Sequence, residues 1–149
     1  KNGNELVRPL QNELRLIMWK YCGVIKSETL LLEGFSRIDR IQTKLSDIDV
    51  RIDKYNCEDL ALIFDLQSSL FSAKATIISA LQRNESRGAH QRSDFPILDP
   101  LFQFNCLVRM DDNNNIKISK VPLKELNEKQ KKNIKNAKRE EDIRNKLLE

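Results

Sequence analysis

The first apolar stripe of the chain has the spacing of a helix. Its members recur at intervals of three and four residues: Leu6, Leu10, Leu14, Ile17, Met18 and Tyr21. Side chains with that spacing share one face of an α-helix. Pro9 suits a first helical turn and Gly23 suits a helix end, so we expect a helix between them.

The second stripe repeats every seven residues. Its seam is formed by Leu31, Ile38, Leu45 and Ile52, with Gly34, Ile41 and Ile48 at the intervening positions. Such a seam indicates a helix lying nearly antiparallel along a neighbour. Ser27 is a suitable N-cap with Glu28 behind it, so the helix is predicted to run from there to about Arg51.

A third helix is predicted after the stretch KYNCED (54–59), with Asp59 or Asn56 as its possible cap. Its apolar stripe contains Leu60, Ile63, Phe64, Leu70, Phe71, Ile77, Ile78 and Leu81. The helix should end near Arg87, where Gly88 could adopt the left-handed conformation common after helix ends. Three long helices joined by short connections predict an antiparallel three-helix bundle, similar to a spectrin repeat.

The pattern then changes from helical to extended. Residues 102–110 and 116–123 are alternating or β-branched, and the Asn- and Asp-rich residues 111–115 separate them. This arrangement predicts a β-hairpin. The remaining residues favour helix but contain few apolar side chains. We therefore expect a mainly α protein with three parts: a bundle with its following loop (1–96), a small hairpin (97–122) and a charged helical or disordered tail (123–149).

Composition excludes several kinds of site. The net charge is +4 from 26 basic and 22 acidic residues, whose signs are interspersed, which argues weakly for nucleic-acid binding. The four glycines are isolated, so the chain has no glycine-rich loop to hold a dinucleotide. One histidine and three widely spaced cysteines suggest neither a metal site nor disulfides, and the cysteines are expected to be reduced and buried. We predict no catalytic, cofactor-binding or metal residues in this segment.

Residues 85–96, called here the arginine loop, read ESRGAHQRSDFP and hold the densest cluster of charge. In a catalytic interpretation, His90 carries a proton while Arg87 and Arg92 grip an anionic substrate. In a structural interpretation, the arginines pair with Glu85 or Asp94 and His90 bonds a backbone group. The residues alone favour the structural interpretation, because a cluster after a helix end commonly fixes the direction of the chain.

The arginine loop resembles the RGAHxRxDxP signature in the C-terminal domain of succinate dehydrogenase and fumarate reductase flavoprotein subunits. L-aspartate oxidases carry a related version. The resemblance covers roughly residues 5–124. It includes the junction LIMWKYCGVIKSETLLLEGFSRI, in which Met18, Trp19 and Gly23 match the pattern while Lys26 replaces a usual arginine. Ala89 and the hairpin favour the succinate and fumarate branch.

The resemblance implies an FAD-dependent parent enzyme that interconverts succinate and fumarate. The FAD and the substrate-binding residues would then belong to upstream domains, and this segment alone would be inactive. Five side chains would form a clasp that docks on those domains: Glu85, Arg87, His90, Arg92 and Asp94. Expected partners are the upstream FAD-binding and capping domains and an iron-sulfur subunit, with no nucleic acid and no direct membrane insertion.

The expected location is the cytoplasm, at the membrane only through partner subunits. Two alternatives stay open at this point. One is the C-terminal domain of an L-aspartate oxidase. The other is a free-standing helical interaction module that uses the basic tail, where nine basic residues stand against six acidic ones in 123–149.

Overall fold

The computed structural model describes residues 3–50, 57–112 and 115–146. Its main elements, in chain order, are α1 (Val7–Tyr21), β1 (Ile25–Lys26), α2 (Glu28–Lys44), α3 (Glu58–Leu81), β2 (Gln91–Arg92), β3 (Phe104–Met110), β4 (Ile116–Pro122) and α4 (Glu128–Lys146). The prediction of a mainly helical chain with a small antiparallel hairpin is confirmed.

Helices α1, α2 and α3 contact one another in pairs and share one apolar core. From α1 it receives Val7, Leu10, Leu14, Ile17 and Tyr21. From α2 and the turn after it come Leu31, Ile38, Ile41 and Ile48. The apolar stripes predicted for these two helices are therefore largely confirmed. Ser27 is the N-cap of α2, because its side chain accepts a hydrogen bond from the Leu30 amide at 3.3 Å.

Gly34 is buried in α2 against side chains of both α1 and α3. A Cβ at this position would come within 2.7 Å of the Tyr21 Cβ and 3.4 Å of the Ile77 Cδ1. The space beside the Gly34 backbone is thus filled by side chains of the neighbouring helices, and a side chain at residue 34 would overlap them. This explains why glycine stands at a position of the seven-residue repeat where an apolar side chain would be expected.

The second helix is shorter than predicted. It ends at Lys44, and a 3-10 turn over Leu45–Asp47 follows, whereas the prediction extended the helix to about Arg51. The chain after Lys44 pairs instead with the segment before α1: the Glu5 amide donates to the Asp47 carbonyl at 3.0 Å. Ile48 thus reaches the core from extended backbone. Arg51 and Ile52 lie outside the described residues.

The predicted limits of α3 are also wrong. Cys57 is its N-cap residue and has no side-chain cap bond, while Asn56 lies outside the described residues. The helix ends at Leu81 and does not continue to Arg87. Gly88 has the expected positive φ of 56°, but it belongs to a tight turn between Arg87 and His90 and not to the end of the helix.

The buried face of α3 differs from the predicted stripe. The side chains that enter the core are Leu66, Leu70, Ala73, Ile77 and Ala80. Phe64 was predicted to be buried, yet 60% of its surface is exposed. The reason is that α3 is apolar on several sides, so its periodicity does not single out one face.

Helix α3 is also the one described helix whose length and composition would allow it to cross a membrane. The core helix of a folded domain has the same properties. Leu66, Leu70 and Ile77 of this helix are buried, and the helix contacts α1 and α2, but only 22% of its most apolar stretch is buried.

The hairpin pairs β3 with β4 from Phe104 opposite Pro122 to Met110 opposite Ile116. Both strands contact α3. A lone two-stranded hairpin is marginally stable in water, so this contact provides the support it needs. The described side chains of α4, residues 128–137, are exposed to solvent.

Candidate functional site: the arginine loop

The arginine loop begins four residues after α3 and returns to the start of α2. Its strand β2 pairs in parallel with β1, with Gln91 opposite Ile25 and Arg92 opposite Lys26. The Gln91 amide donates to the Val24 carbonyl at 3.3 Å, and the Ser93 amide donates to the Lys26 carbonyl at 2.9 Å. The loop is therefore fixed against the junction between α1 and α2.

Arg92 is the centre of the loop and is only 1% exposed. Its Nε and Nη2 donate to the two carboxylate oxygens of Asp94, each at 2.7 Å. Its Nη1 donates to the carbonyls of Ala80 at 3.1 Å and Arg83 at 3.3 Å. These carbonyls lie at the end of α3, where backbone acceptors lack helical partners, so the guanidinium caps the helix.

Asp94 extends this connection to α2. Its Oδ2 accepts a hydrogen bond at 2.8 Å from the Glu28 amide, in the first turn of α2. The hydrogen bonds from Arg92, followed by the bond from Glu28, hold the pKa of Asp94 well below its usual range. One arginine–aspartate pair thus links the end of one core helix to the beginning of another.

Glu85 is the second buried charge, with no exposed surface. Its carboxylate accepts two hydrogen bonds from Arg87, from Nε at 2.9 Å and Nη2 at 3.0 Å. It also accepts from the guanidinium of Arg83 and, at 2.9 Å, from the Asp99 amide. These donors, Arg87 first, lower the pKa of Glu85 to about 2 against the opposing effect of burial.

His90 lies half-buried at the other end of the tight turn. The backbone groups of Arg87 and His90 exchange hydrogen bonds of 2.8 and 3.0 Å across this turn. The Nε2 of His90 lies 3.1 Å from the Arg83 carbonyl, which can only accept, so Nε2 carries the proton. Burial lowers the pKa of His90, which favours the neutral ring at pH 7.

Arg83 is the important side chain that the sequence analysis missed. Its guanidinium contacts Glu85, donates to the Phe102 carbonyl at 3.0 Å and to the Phe104 carbonyl, and lies 4.9 Å from the centre of the Phe104 ring. Arg83 therefore fastens the hairpin to the end of α3. The sequence analysis gave it no signal because the predicted helix ran past it to about Arg87, whereas the observed helix ends at Leu81 and leaves Arg83 beside the terminal carbonyls.

The arrangement matches the pairs expected from the structural interpretation. Arg87 pairs with Glu85, Arg92 pairs with Asp94 and His90 bonds a backbone carbonyl. Both guanidinium groups are thus bonded to carboxylates of the same chain. Within residues 3–50, 57–112 and 115–146, no group of three His, Cys, Asp or Glu side chains is placed to hold a metal ion.

Several apolar side chains and one thiol are exposed outside the loop. Trp19 is 84% exposed and Leu101 is 87% exposed. The expectation that all three cysteines are buried is wrong: Cys57 is exposed, while Cys22 and Cys106 are partly buried. All three are free thiols, as predicted.

Comparison with known proteins places this geometry in a family. A family model described as the C-terminal part of fumarate reductase flavoprotein matches residues 11–145. An uncharacterized FAD-dependent oxidoreductase of Methanocaldococcus jannaschii is 34% identical over 107 residues, which are 72% of this chain and 19% of that protein. The flavoprotein-family relatives also include a fumarate reductase (CoM/CoB) polypeptide of Methanothermobacter marburgensis, which is 34% identical over 68% of this chain and 19% of its own length.

An L-aspartate oxidase of Pyrococcus horikoshii is also similar, at 36% identity over 62% of this chain and 15% of that protein. Among solved structures, an E. coli quinol fumarate reductase chain superposes with a TM-score of 0.74 at 23% identity. The match covers 84% of this chain and 22% of that one and shows a shared fold.

The chain spans about a fifth or less of the length of these curated relatives. The family match nevertheless covers most of the chain, and it includes α2, α3, the arginine loop and the hairpin. This chain belongs to the succinate dehydrogenase and fumarate reductase flavoprotein family, and it corresponds to the C-terminal domain of those proteins.

Proposed function

We propose that this chain is the C-terminal helical domain of an FAD-dependent oxidoreductase that interconverts succinate and fumarate. In this proposal the domain has no active site of its own and packs against the flavin domain and partner surfaces. The observation that carries the proposal is the family match over residues 11–145, in relatives of which this chain is only a fifth.

The chemistry of the arginine loop supports a structural role. Catalysis would require a proton carrier and a free cation close together. Here His90 donates from Nε2 to a backbone carbonyl, and Arg87 and Arg92 are each bound to a carboxylate through two hydrogen bonds. Such pairs of charge-assisted hydrogen bonds between a guanidinium and a carboxylate are strong and directional. They therefore suit a rigid structural contact better than substrate binding.

The docking role of the clasp stays a prediction, and burial limits which members could serve it directly. Glu85 and Arg92 are enclosed within this chain. The Arg87 side chain is 41% exposed and the Asp94 side chain 28% exposed. We propose that the buried pair sets the shape of the loop and that Arg87 and Asp94 present its outer surface to the flavin domain.

The exposed apolar side chains supply further area for such an interface. Trp19 and Leu16 are spaced by three residues on α1, and 84% and 69% of their surfaces are exposed. Large aromatic side chains are enriched where proteins meet partners. We propose that the antiparallel three-helix bundle of residues 1–96 carries these contacts, that the hairpin of 97–122 extends it, and that the charged tail of 123–149 lies outside the packed part.

The test is the size and colour of the native protein. An antibody raised against this chain should isolate, from the source cells, a much longer polypeptide that carries flavin and oxidises succinate with an artificial acceptor. Oxidation of L-aspartate in place of succinate would instead favour the L-aspartate oxidase alternative. A native polypeptide of 149 residues without flavin would refute the proposal and would favour a free-standing helical module.

A further inference from the structure

An open groove of about 490 Å³ lies beside the arginine loop, between the end of α3 and the start of β3. Its lining includes Lys26, Ser79, Arg83, His90 and Asn105. No Asp or Glu side chain lines it. The groove therefore offers cationic and neutral polar groups without an internal counter-charge.

Lys26 is the unusual member of this lining, because it is only 7% exposed. Its ammonium group donates to the Val24 carbonyl at 2.9 Å. No ion pair involves Lys26 within the part of the chain that the structure describes. Lysines are almost never buried without a partner, since removing the charge from water is costly.

The neighbouring groups do not supply the missing negative charge. The Cys22 thiol interacts electrostatically with Lys26, but burial raises the pKa of Cys22, which favours the neutral thiol at pH 7. Arg92 is a further cation near Lys26, and its own charge is balanced by Asp94. Burial, with a smaller contribution from Arg92, lowers the pKa of Lys26. The ammonium form at the side of the open groove therefore has no carboxylate among the described residues to stabilise it.

We propose that this groove is a binding site for a carboxylate, with Lys26 as the counter-charge. The charge balance selects the ligand class. Arg83 already bonds Glu85, and His90 donates from Nε2 to the Arg83 carbonyl, so Lys26 is the cationic lining side chain that has no carboxylate partner among the described residues. A singly charged carboxylate matches that charge, whereas a doubly charged phosphate would leave excess negative charge in a partly buried site.

The experiment titrates acetate into the isotope-labelled 149-residue chain at constant ionic strength. The nuclear magnetic resonance signals of the Lys26 side chain and the His90 ring report on the groove. Acetate should shift both signals in a saturable manner, while acetamide, which has the same shape without the charge, should not. Equal effects of acetate and acetamide, or no saturation, would overturn the proposal. Tighter binding of inorganic phosphate than of acetate would overturn the choice of ligand class.

Two substitutions complete the test. Lys26→Met keeps the apolar stem and removes the charge, so it should weaken acetate binding by about tenfold or more, as expected for loss of a charged hydrogen bond. Lys20→Met removes an exposed lysine of α1 and should leave affinity within about twofold. Without acetate, Lys26→Met should be at least as stable as the parent chain, because it no longer desolvates a charge. A clear loss of stability in acetate-free buffer would contradict an uncompensated lysine.

Discussion

Replacement of Arg92 by lysine tests whether the arginine loop is held by the shape of the guanidinium or only by its charge. Arg92 makes four side-chain hydrogen bonds: two to Asp94 and one each to the carbonyls of Ala80 and Arg83. Lysine keeps the charge, but its single nitrogen cannot bond both oxygens of the carboxylate and both carbonyls. At least two bonds should be lost.

The expected cost follows from those bonds. A hydrogen bond to a charged group contributes about 1.5–3 kcal/mol, and a buried carbonyl left without a donor costs about 1–3 kcal/mol. Asp94 keeps its bond from the Glu28 amide and is 28% exposed, so water can replace part of the loss. We therefore expect Arg92→Lys to lower the free energy of unfolding by about 3 kcal/mol, or the Tm by about 10 °C for a chain of this size.

Urea unfolding followed by circular dichroism measures this cost, and Arg40→Lys is the matched control. Arg40 lies on an exposed position of α2, so its replacement should change stability by less than about 0.5 kcal/mol. A cycle that combines Arg92→Lys with Asp94→Asn should show a coupling of about 1 kcal/mol or more. If Arg92→Lys lowers the free energy of unfolding by less than about 1 kcal/mol and shows no coupling energy with Asp94→Asn, the Arg92 guanidinium does not hold the loop in place.

Three further predictions concern the core, the α2 cap and the buried carboxylate. Gly34→Ala should destabilise the chain by about 1–2 kcal/mol in thermal unfolding, because the new Cβ would lie 2.7 Å from the Tyr21 Cβ. This overpacking should outweigh a gain of about 1 kcal/mol in helix propensity. Increased stability would contradict the close packing at Gly34. Ser27→Ala should cost about 1 kcal/mol through loss of the N-cap, whereas Ser27→Asn should retain most of the stability. The pKa of Glu85 is about 2 in the folded chain against an ordinary 4.5, so its ionised form stabilises the fold fully above pH 4.5 and less as the pH falls towards 2. Glu85→Gln should therefore be less stable than the parent at pH 7, and the difference should shrink in unfolding measurements below pH 4.5; a difference independent of pH would contradict the assignment.

The sequence predicts α1, α2 and the hairpin well because each has a polar side. In α2 the seven-residue seam is flanked by charged residues, so only one face can be buried, and Leu31, Ile38 and Ile41 are buried as expected. Helix α3 lacks that contrast. Ala73 and Ala80 are buried while the larger Phe64 is exposed, because close contact between helices favours small side chains. Which face of α3 is buried therefore depends on the shape of the neighbouring helices, and the apolar pattern of α3 alone holds no information about that shape.

The end of α2 shows a second limit of the pattern. Ile48 continues the helical seam in sequence and is buried, yet it lies in extended backbone. The seam is consistent with either conformation at this point. The deciding interactions are hydrogen bonds between Glu5 and residues 47 and 49, which lie more than 40 positions away in the sequence. Tertiary hydrogen bonds of this kind leave no periodic signal.

The arginine loop contains some interactions that local sequence predicts and others that it does not. Its charge pairs lie within two residues of one another, Arg87 with Glu85 and Arg92 with Asp94, so local sequence is sufficient to suggest them. Its long-range bonds, from Asp94 to α2 and from Arg83 to the hairpin, are not visible locally. Together with the bond from Arg92 to the end of α3 and the pairing of β2 with β1, they join α2, α3, β1 and the hairpin at the arginine loop and the adjacent Arg83. Since the two buried charges of the loop already serve that junction, a substitution at Arg92 should act first on the fold of this domain. A substitution at the exposed Trp19 should leave the fold intact and weaken the contact that we propose with the flavin domain.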